Sequence, residues 1–492
     1  MTKFRAPIAL LLLYWCSRLW HLTTLPGFLD EINYIGRAQQ INAGNWSVML
    51  FDGTVLHPRL LALLMPLAQT MDTSLYFARW FNVAFDALGF ICLYVTAQKA
   101  FSQRAAVAAS LFYLISPFVF FYDRMALADG PLMTFYALTF WLSLRVADGS
   151  GRWRSALALG LVLAAACFTK LSGVIFVAVP VFAVLSARDW RGAVRPWPRW
   201  LLVYTVPLAT FAPMLLAGSA NYQIESKSVS TLGPDELLRQ IMANFGSLVE
   251  ALTAYSPGLL IVLIALAPLL ALRLRRKSLL WIAGALWPAI FFILVGRIVL
   301  IRYILMSAIP IAVLAGWCCA QLNLMVQRWI PRLGSAPVAL ALLVAAIPAL
   351  QFDYLIATDP PAAPWPSIER FQYISDWPAG YGMDDALATL RRLAGDSPDG
   401  IHVMRNGDSP LLERLDVYLW RDSRINVVVG DFAHRNPRPT LTRLAKERPT
   451  YIILDPPREP LVFAASYPRA VKVAEFPKPG GESAIVIYEW PP

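Results

Sequence analysis

Asp30 and Glu31, in LPGFLDEINYIGRAQQINAGNW, are adjacent carboxylates set just after an apolar pair and just before a helical pattern. Two acids there fit the start of a helix, with Asp30 capping a helix that begins at Glu31. The same placement fixes a carboxylate in space, as a group that takes a proton from a hydroxyl requires. A second acidic feature, FFYDRMALADGPLMTF, brackets Arg124 with Asp123 and Asp129. An Arg–Asp pair anchoring two helix ends is the ordinary use of such residues. Asp129, however, is followed directly by Gly130-Pro131 and an apolar run, and an acid at that depth needs a partner or a water-filled cavity. Lys170, in ACFTKLSGVIF, is apolar on both sides. Snorkelling to the interface and facing an anionic substrate are its two readings. Arg297 and Arg302-Tyr303 add cations, and His57-Pro58-Arg59 opens a short apolar run in which the imidazole suits a base, a metal ligand or a phosphate contact. Together these residues suit a chemistry in which Arg and Lys hold a phosphate while a carboxylate activates a hydroxyl.

The elements that must position them are set by composition. Of 492 residues 57% are apolar and 15% charged, with a mean hydropathy of +0.52. Soluble domains carry about 25% charged residues, and disorder needs the opposite bias, so both are excluded. The chain reads as a polytopic α-helical membrane protein. Runs long enough for a ~30 Å hydrocarbon core number about eleven, near 6–22, 75–97, 105–121, 131–147, 155–169, 171–186, 200–217, 257–272, 279–297, 303–322 and 335–356. Leu56–Leu67 is apolar but too short to span, and reads as an interfacial or re-entrant helix. The start, MTKFR followed by Ala6–Cys16, lacks a small-x-small cleavage site and reads as an uncleaved first span.

Basic residues then sort by side. Lys3/Arg5, Lys99/Arg104, Arg145/Arg152/Arg154, Arg188/Arg191/Arg195/Arg199, Arg273/Arg275/Arg276/Lys277 and Arg328/Arg332 fall in every second connection, which the positive-inside rule places in the cytoplasm. Much of the net charge of +11 is accounted for without nucleic acid. The N-terminus is therefore expected in the cytoplasm. Asp30, Glu31, His57, Arg59, Asp123, Arg124, Asp129, Lys170 and Arg302 are expected on the opposite face, where nucleotide-activated donors are scarce. Cys16, Cys92, Cys167, Cys318 and Cys319 all lie in apolar runs and make no metal or disulfide spacing.

Composition shifts at about residue 357, with the Pro-rich DPPAAPWP. Domains are expected at 1–356, with a first external loop over 23–74, and at 357–492. The tail alternates helical patterns (384–394, 411–420, 440–447) with strand patterns (401–405, 425–429, 451–454, 471–476, 484–488), predicting a small extracytoplasmic α/β domain. It carries no GxGxxG, P-loop or GxSxG motif, which points to support or substrate guidance rather than a second active site.

The ordered series LDE, HP opening a short helix, RMALADGPL, FTK between short helices and RYILMSAIP resembles the GT-C glycosyltransferase superfamily over about residues 1–320. It is most similar to the protein O-mannosyltransferase and lipid A aminoarabinose transferase group, and WPAGYGMDDALATLRRLA looks like members with an extra C-terminal domain. The resemblance implies a polyprenyl-phosphate sugar donor and transfer, with inversion, to a hydroxyl of a lipid, polysaccharide or protein at the external face of a bacterial inner membrane. It implies Asp30 as base, Glu31 as its neighbour and Asp129 as the second acid. Arg124, Lys170, Arg302 and Tyr303, with His57 and Arg59, would lie near the lipid phosphate. Some members use a divalent metal, for which Asp30, Glu31 and His57 would be the ligands. Relatives with a Lys-Pro-Pro segment have lysine where this chain has His57, a departure in the phosphate contact. A lipid-linked glycan flippase is the rival from another class. It must open to both faces, whereas these charges gather on one. A glycan polymerase or oligosaccharyl transferase is the enzymatic rival, and the tail has no WWDYG-like segment.

Overall fold

The computed structural model describes residues 5–45, 55–187, 189–216, 232–255, 276–406, 410–430, 437–455, 463, 465–481 and 483–492. Its longer helices are, in chain order, α1 (Arg5–Leu19), α2 (Leu29–Asn42), α3 (Leu56–Ala62), α4 (Met71–Ala100), α5 (Gln103–Leu114), α6 (Pro117–Asp123), α7 (Asp129–Ala147), α8 (Trp153–Thr169), α9 (Ala178–Ser186), α10 (Trp197–Leu216), α11 (Pro234–Tyr255), α12 (Arg276–Val295), α13 (Ala308–Trp329), α14 (Ala336–Thr358), α15 (Met383–Asp396) and α16 (Arg438–Glu447). Two compact units result. One takes Met1–Leu22, Gly44–Leu61 and Ala78–Thr358; the other takes Thr23–Ala43, Ala62–Phe77 and Asp359–Pro492. The expected boundary near 357 lies close to the break after Thr358. The 23–74 loop, assigned from sequence to the membrane part, instead gives most of its residues to the second unit.

Met71–Ala100, most of it in the first unit, and Ser278–Val295, Ile301–Trp329 and Ala336–Thr358 are long and apolar enough to cross a bilayer. The described residues thus show four clear spans rather than the eleven expected. The short runs at Trp153–Thr169 and Leu171–Ser186 fall below spanning length, and the run at 257–272 lies outside the described residues. Leu340, Leu343, Val344 and Ile347 on α14 are all more than half exposed, an apolar face suited to lipid. This is the architecture of an integral membrane protein.

Two breaks in the first unit position chemistry. The run read as one span over 105–121 is bent by 70° between α5 and α6. Pro117 sits at the first position of α6 and has no N–H to give the Tyr113 carbonyl one turn back. Arg18 on α1 supplies the missing donors, with Nη2 to Tyr113 O at 3.3 Å and Nη1 to Leu114 O at 3.0 Å. The second break is at Lys170, where the backbone turns extended (φ −160°, ψ 141°) after α8 and re-enters through a 3-10 turn over Leu171–Val177. A polar break between two short helices was expected there, and it is found.

The second unit carries a five-stranded sheet of β1 (Ile401–Asn406), β2 (Ile425–Gly430), β3 (Thr450–Leu454), β4 (Val471–Pro477) and β5 (Ala484–Trp490). Their order is β2-β1-β3-β5-β4. β1 pairs in parallel with β2 and β3, while β5 runs antiparallel to β3 and β4. All five strands and the helices α15 and α16 stand where the sequence placed them. α2 packs on this unit. Gly36 lies against Val417, where a Cβ would collide. Phe28 meets Tyr373 with ring centroids 4.5 Å apart, and Leu29 N–H donates to Pro378 O at 3.2 Å.

Lys478 and Asp455 form a 2.8 Å ion pair with both side chains fully buried. Burial pushes the Asp455 carboxyl up, and Lys478 pulls it back. Lys478 also donates to Asp376 O at 3.1 Å, tying the end of β4 to the segment before α15. Lys478→Met is expected to destabilise this unit by about 3–5 kcal/mol, because it strands a buried charge. Lys478→Met with Asp455→Leu is expected to recover most of that loss in a thermal melt.

Candidate active site

The segment RMALADGPL joins α6 to α7, and every residue of it is buried. A buried loop must find partners for its backbone polar groups. Asn82 on α4 provides them, with Nδ2 donating to Met125 O and Leu127 O at 2.6 Å each. Arg124 opens the segment and turns the other way. Nη1 donates to Ser17 O and Arg18 O at 3.3 Å and to Trp20 O at 2.6 Å, and Nη2 to His21 O at 2.6 Å. Its guanidinium also lies 4.7 Å from the Phe120 ring centroid. This is a cation closing the carbonyl end of α1. The sequence assigned Arg124 to a lipid phosphate. In the structure its Nη1 and Nη2 donate to backbone carbonyls at the end of α1.

Asp129 is the first residue of α7, with Pro131 inside the first turn, where a missing N–H costs nothing. Its carboxylate is 4% exposed and its Oδ1 accepts from Lys170 Nζ at 2.6 Å. Lys170 stands 4.6 Å over the Tyr303 ring, and the buried Arg302 guanidinium lies 5.9 Å from the same ring. Arg302 and Tyr303 come from a 3-10 turn, Ile301–Ser307, that feeds α13. Three chain breaks thus deliver an acid, two cations and an aromatic ring to one place. The pairing of Asp129 with Lys170 answers the requirement that each have a partner at that depth. An apolar cavity of about 110 Å³ adjoins the same turn, lined by Phe112, Phe118, Tyr255, Ile304, Ser307 and Ile311.

His57 is buried at the start of α3, its Nε2 2.9 Å from Asn82 Oδ1. It serves the loop that carries Asp129 rather than presenting a free imidazole edge. Val55 N–H, just ahead of it, donates to Phe168 O at 2.8 Å, which seats α3 beside the end of α8. Arg59 is exposed on α3. Asp30 and Glu31 belong to the second unit, in the first turn of α2. The helix begins at Leu29, with Phe28 in the cap position, so Asp30 is not the cap. Glu31 is buried and reaches back to Phe28 N–H at 3.0 Å, half of a capping box. No group of three or more His, Cys, Asp or Glu among the described residues is arranged to hold a metal ion. His57 belongs to the first unit and Asp30 and Glu31 to the second, and no step is routed through a metal.

Several buried charges were missed from sequence, and Asp123, named there beside Arg124, pairs instead with Arg18. Arg18 and Asp123 pair at 3.1 Å with both side chains fully buried, and Tyr113 Oη donates to Asp123 Oδ1 at 3.0 Å. Arg79 donates to Leu22 O at 3.0 Å, and Asp353 on α14 acts electrostatically on Arg18 and Arg124. Asp86 is fully buried in α4, accepting from Thr134 Oγ1 at 2.8 Å. A signal was present: Arg79, Asn82 and Asp86 recur at helical spacing inside an apolar run, and ionisable residues in a span have partners or roles.

Residues 52–216 match a family model described as dolichyl-phosphate-mannose-protein mannosyltransferase. The chain is similar in fold to ArnT from Cupriavidus metallidurans bound to undecaprenyl phosphate, with TM-score 0.63 and 15% identity, covering 98% of this chain and 97% of that one. It is also similar to the oligosaccharyltransferase of Archaeoglobus fulgidus in the apo form, with TM-score 0.57, 12% identity and coverage of 92% and 70%. No curated protein matches the chain in sequence. The resemblance to GT-C glycosyltransferases is borne out at the level of fold.

Proposed function

We propose that this chain is an integral-membrane glycosyltransferase that moves a sugar from a polyprenyl-phosphate donor to a hydroxyl acceptor at the external face. The observation that carries the reading is the Asp129–Lys170 pair beside Tyr303 and Arg302, next to an apolar cavity. Such a site matches a ligand that is a phosphate at one end and a hydrocarbon along its length. Arg302 and Lys170 hold the phosphate; the cavity takes the first part of the chain. The acceptor oxygen attacks the anomeric carbon as the bond from that carbon to the phosphate oxygen breaks. The acceptor proton passes to a carboxylate, for which Asp30 is the candidate on resemblance. The products are an inverted glycoside and polyprenyl phosphate. The oxocarbenium-like transition state puts growing negative charge on the phosphate, where a fixed cation stabilises it most. The basic clusters in alternate connections support a cytoplasmic N-terminus and this site on the external face.

Mass spectrometry of cell-envelope glycolipids and glycoproteins, with and without the gene, tests the reading. A sugar modification present only with the gene is expected. Purified protein that moves lipid-linked sugar across vesicles with no transfer would overturn it.

A further inference from the structure

An uncharged residue also bears on the placement of Asp129. We infer that Asn82 is a positioning residue for the Asp129–Lys170 pair, clamping the loop in front of Asp129 from within α4. The inference rests on the proposed function for its purpose and on geometry for its content.

Asn82 is fully buried, and both of its amide donors are used: Nδ2 reaches Met125 O and Leu127 O at 2.6 Å each. Two carbonyls on one nitrogen fix the carboxamide orientation, because the flipped form would set its oxygen against both. Oδ1 must then accept. His57 Nε2, 2.9 Å away, is therefore the protonated ring nitrogen, and His57 holds Asn82 as Asn82 holds the loop. The second clamped carbonyl lies two residues before Asp129, so loss of the clamp moves the carboxylate.

A second hold lies one turn further along the same face of α4. Asp86 accepts from Thr134 Oγ1, inside α7, and lies so close to Gly130 that a Cβ there would run into Asp86 Oδ2. That oxygen is buried and has no hydrogen-bond partner among the described residues. It faces the first turn of α7, where the helix macrodipole favours negative charge. Asn82 therefore sets the loop and Asp86 the helix start, with Asp129 between them. A residue that did no more than satisfy buried carbonyls would leave the ion pair unaffected when replaced by a side chain of its own shape.

Asn82→Leu keeps the branched shape and removes the donors. The readout is competitive acetylation of lysines in the full-length protein in detergent, followed by mass spectrometry, with Lys99 (2.7 Å from Asp148) as internal reference. In the wild type, Lys170 labelling is expected to be slow, because Asp129 holds the ammonium. In Asp129→Asn it is expected to rise about tenfold. In Asn82→Leu it is expected to rise at least severalfold towards that level, with Lys99 unchanged and the protein still folded by thermal melt. Folded Asn82→Leu protein that labels at the wild-type rate would overturn the inference. So would an Asp129→Asn protein with slow Lys170 labelling, since there would be no pair to position. If Asn82→Leu does not accumulate, His57→Leu replaces it; that variant keeps the clamp but frees its orientation. A smaller rise is expected, and no rise overturns. Sugar modification measured in the same strains separates the two readings. Full modification by Asp129→Asn and Lys170→Met removes the transferase reading and leaves the labelling result standing.

Discussion

Lys170→Met is expected to lower sugar transfer by about 10²–10³-fold while the protein remains folded, measured as modified envelope product per amount of protein in the membrane. The size follows from what the ammonium does. Removing one preorganised charge stabiliser at a site of developing negative charge costs about that factor elsewhere. Lys170 is preorganised in the required sense: it is the residue at which α8 stops, its backbone is extended, and its Nζ is fixed 2.6 Å from Asp129. The methionine retains the stem's packing, so the loss is one of charge. Lys170→Arg is expected to rescue poorly, because a planar fork does not occupy the place of a compact ammonium over the Tyr303 ring. Asp129→Asn is expected to cost less, about tenfold, since Asn still accepts from Lys170 but no longer fixes it by charge. A Lys170→Met protein that transfers at the wild-type rate would remove Lys170, and the phosphate role with it, from the mechanism.

Why the sequence disclosed some of this and not the rest is a matter of distance along the chain. The second unit was legible strand by strand, because period-2 alternation and turn residues are local signals. The break at Lys170 was legible for the same reason: a lone cation between two short apolar runs is costly within a continuous span and marks where the helix stops. Partners were not legible. Nothing in FTK names Asp129, which lies 41 residues earlier, and nothing in RMALADGPL says that Arg124 will close α1 over a separation of more than 100 residues. A cation next to an acid near a membrane boundary looks the same whether it serves a ligand or a helix end. The deeper omission was Asn82 and Asp86. In a span read for its length they passed as interruptions, although their spacing of four put them on one face of α4. The span count of eleven was not reached among the described residues, where four helices are long and apolar enough to cross and Trp153–Thr169 and Leu171–Ser186 are shorter apolar helices.

Arg18→Ala and Asp123→Ala are each expected to remove about 3–5 kcal/mol of stability, enough to cut the folded yield sharply against a total of about 5–15 kcal/mol. Both side chains are fully buried, so either substitution leaves a bare charge behind. The two losses differ in kind. Arg18→Ala also returns two carbonyls, Tyr113 O and Leu114 O, to an apolar surrounding at a break that Pro117 cannot repair. Asp123→Ala leaves the guanidinium with those carbonyls and with the field of Asp353, a partial compensation. Arg18→Ala should therefore be the more damaging, and Asp123→Asn the mildest, because the Asn oxygen still accepts from Arg18 Nε while its amide nitrogen can donate to Tyr113 Oη. Thermal melts of the purified proteins in detergent give the order. Because this pair joins α1 to α6, and α6 leads through Arg124 into the loop that carries Asp129, partial loosening should appear first as lost transfer and only then as lost fold. Asp123→Asn is the variant in which that separation can be read: a melting temperature near the wild type with transfer several-fold lower. Equal loss of both would show that the pair stabilises the unit without bearing on the site.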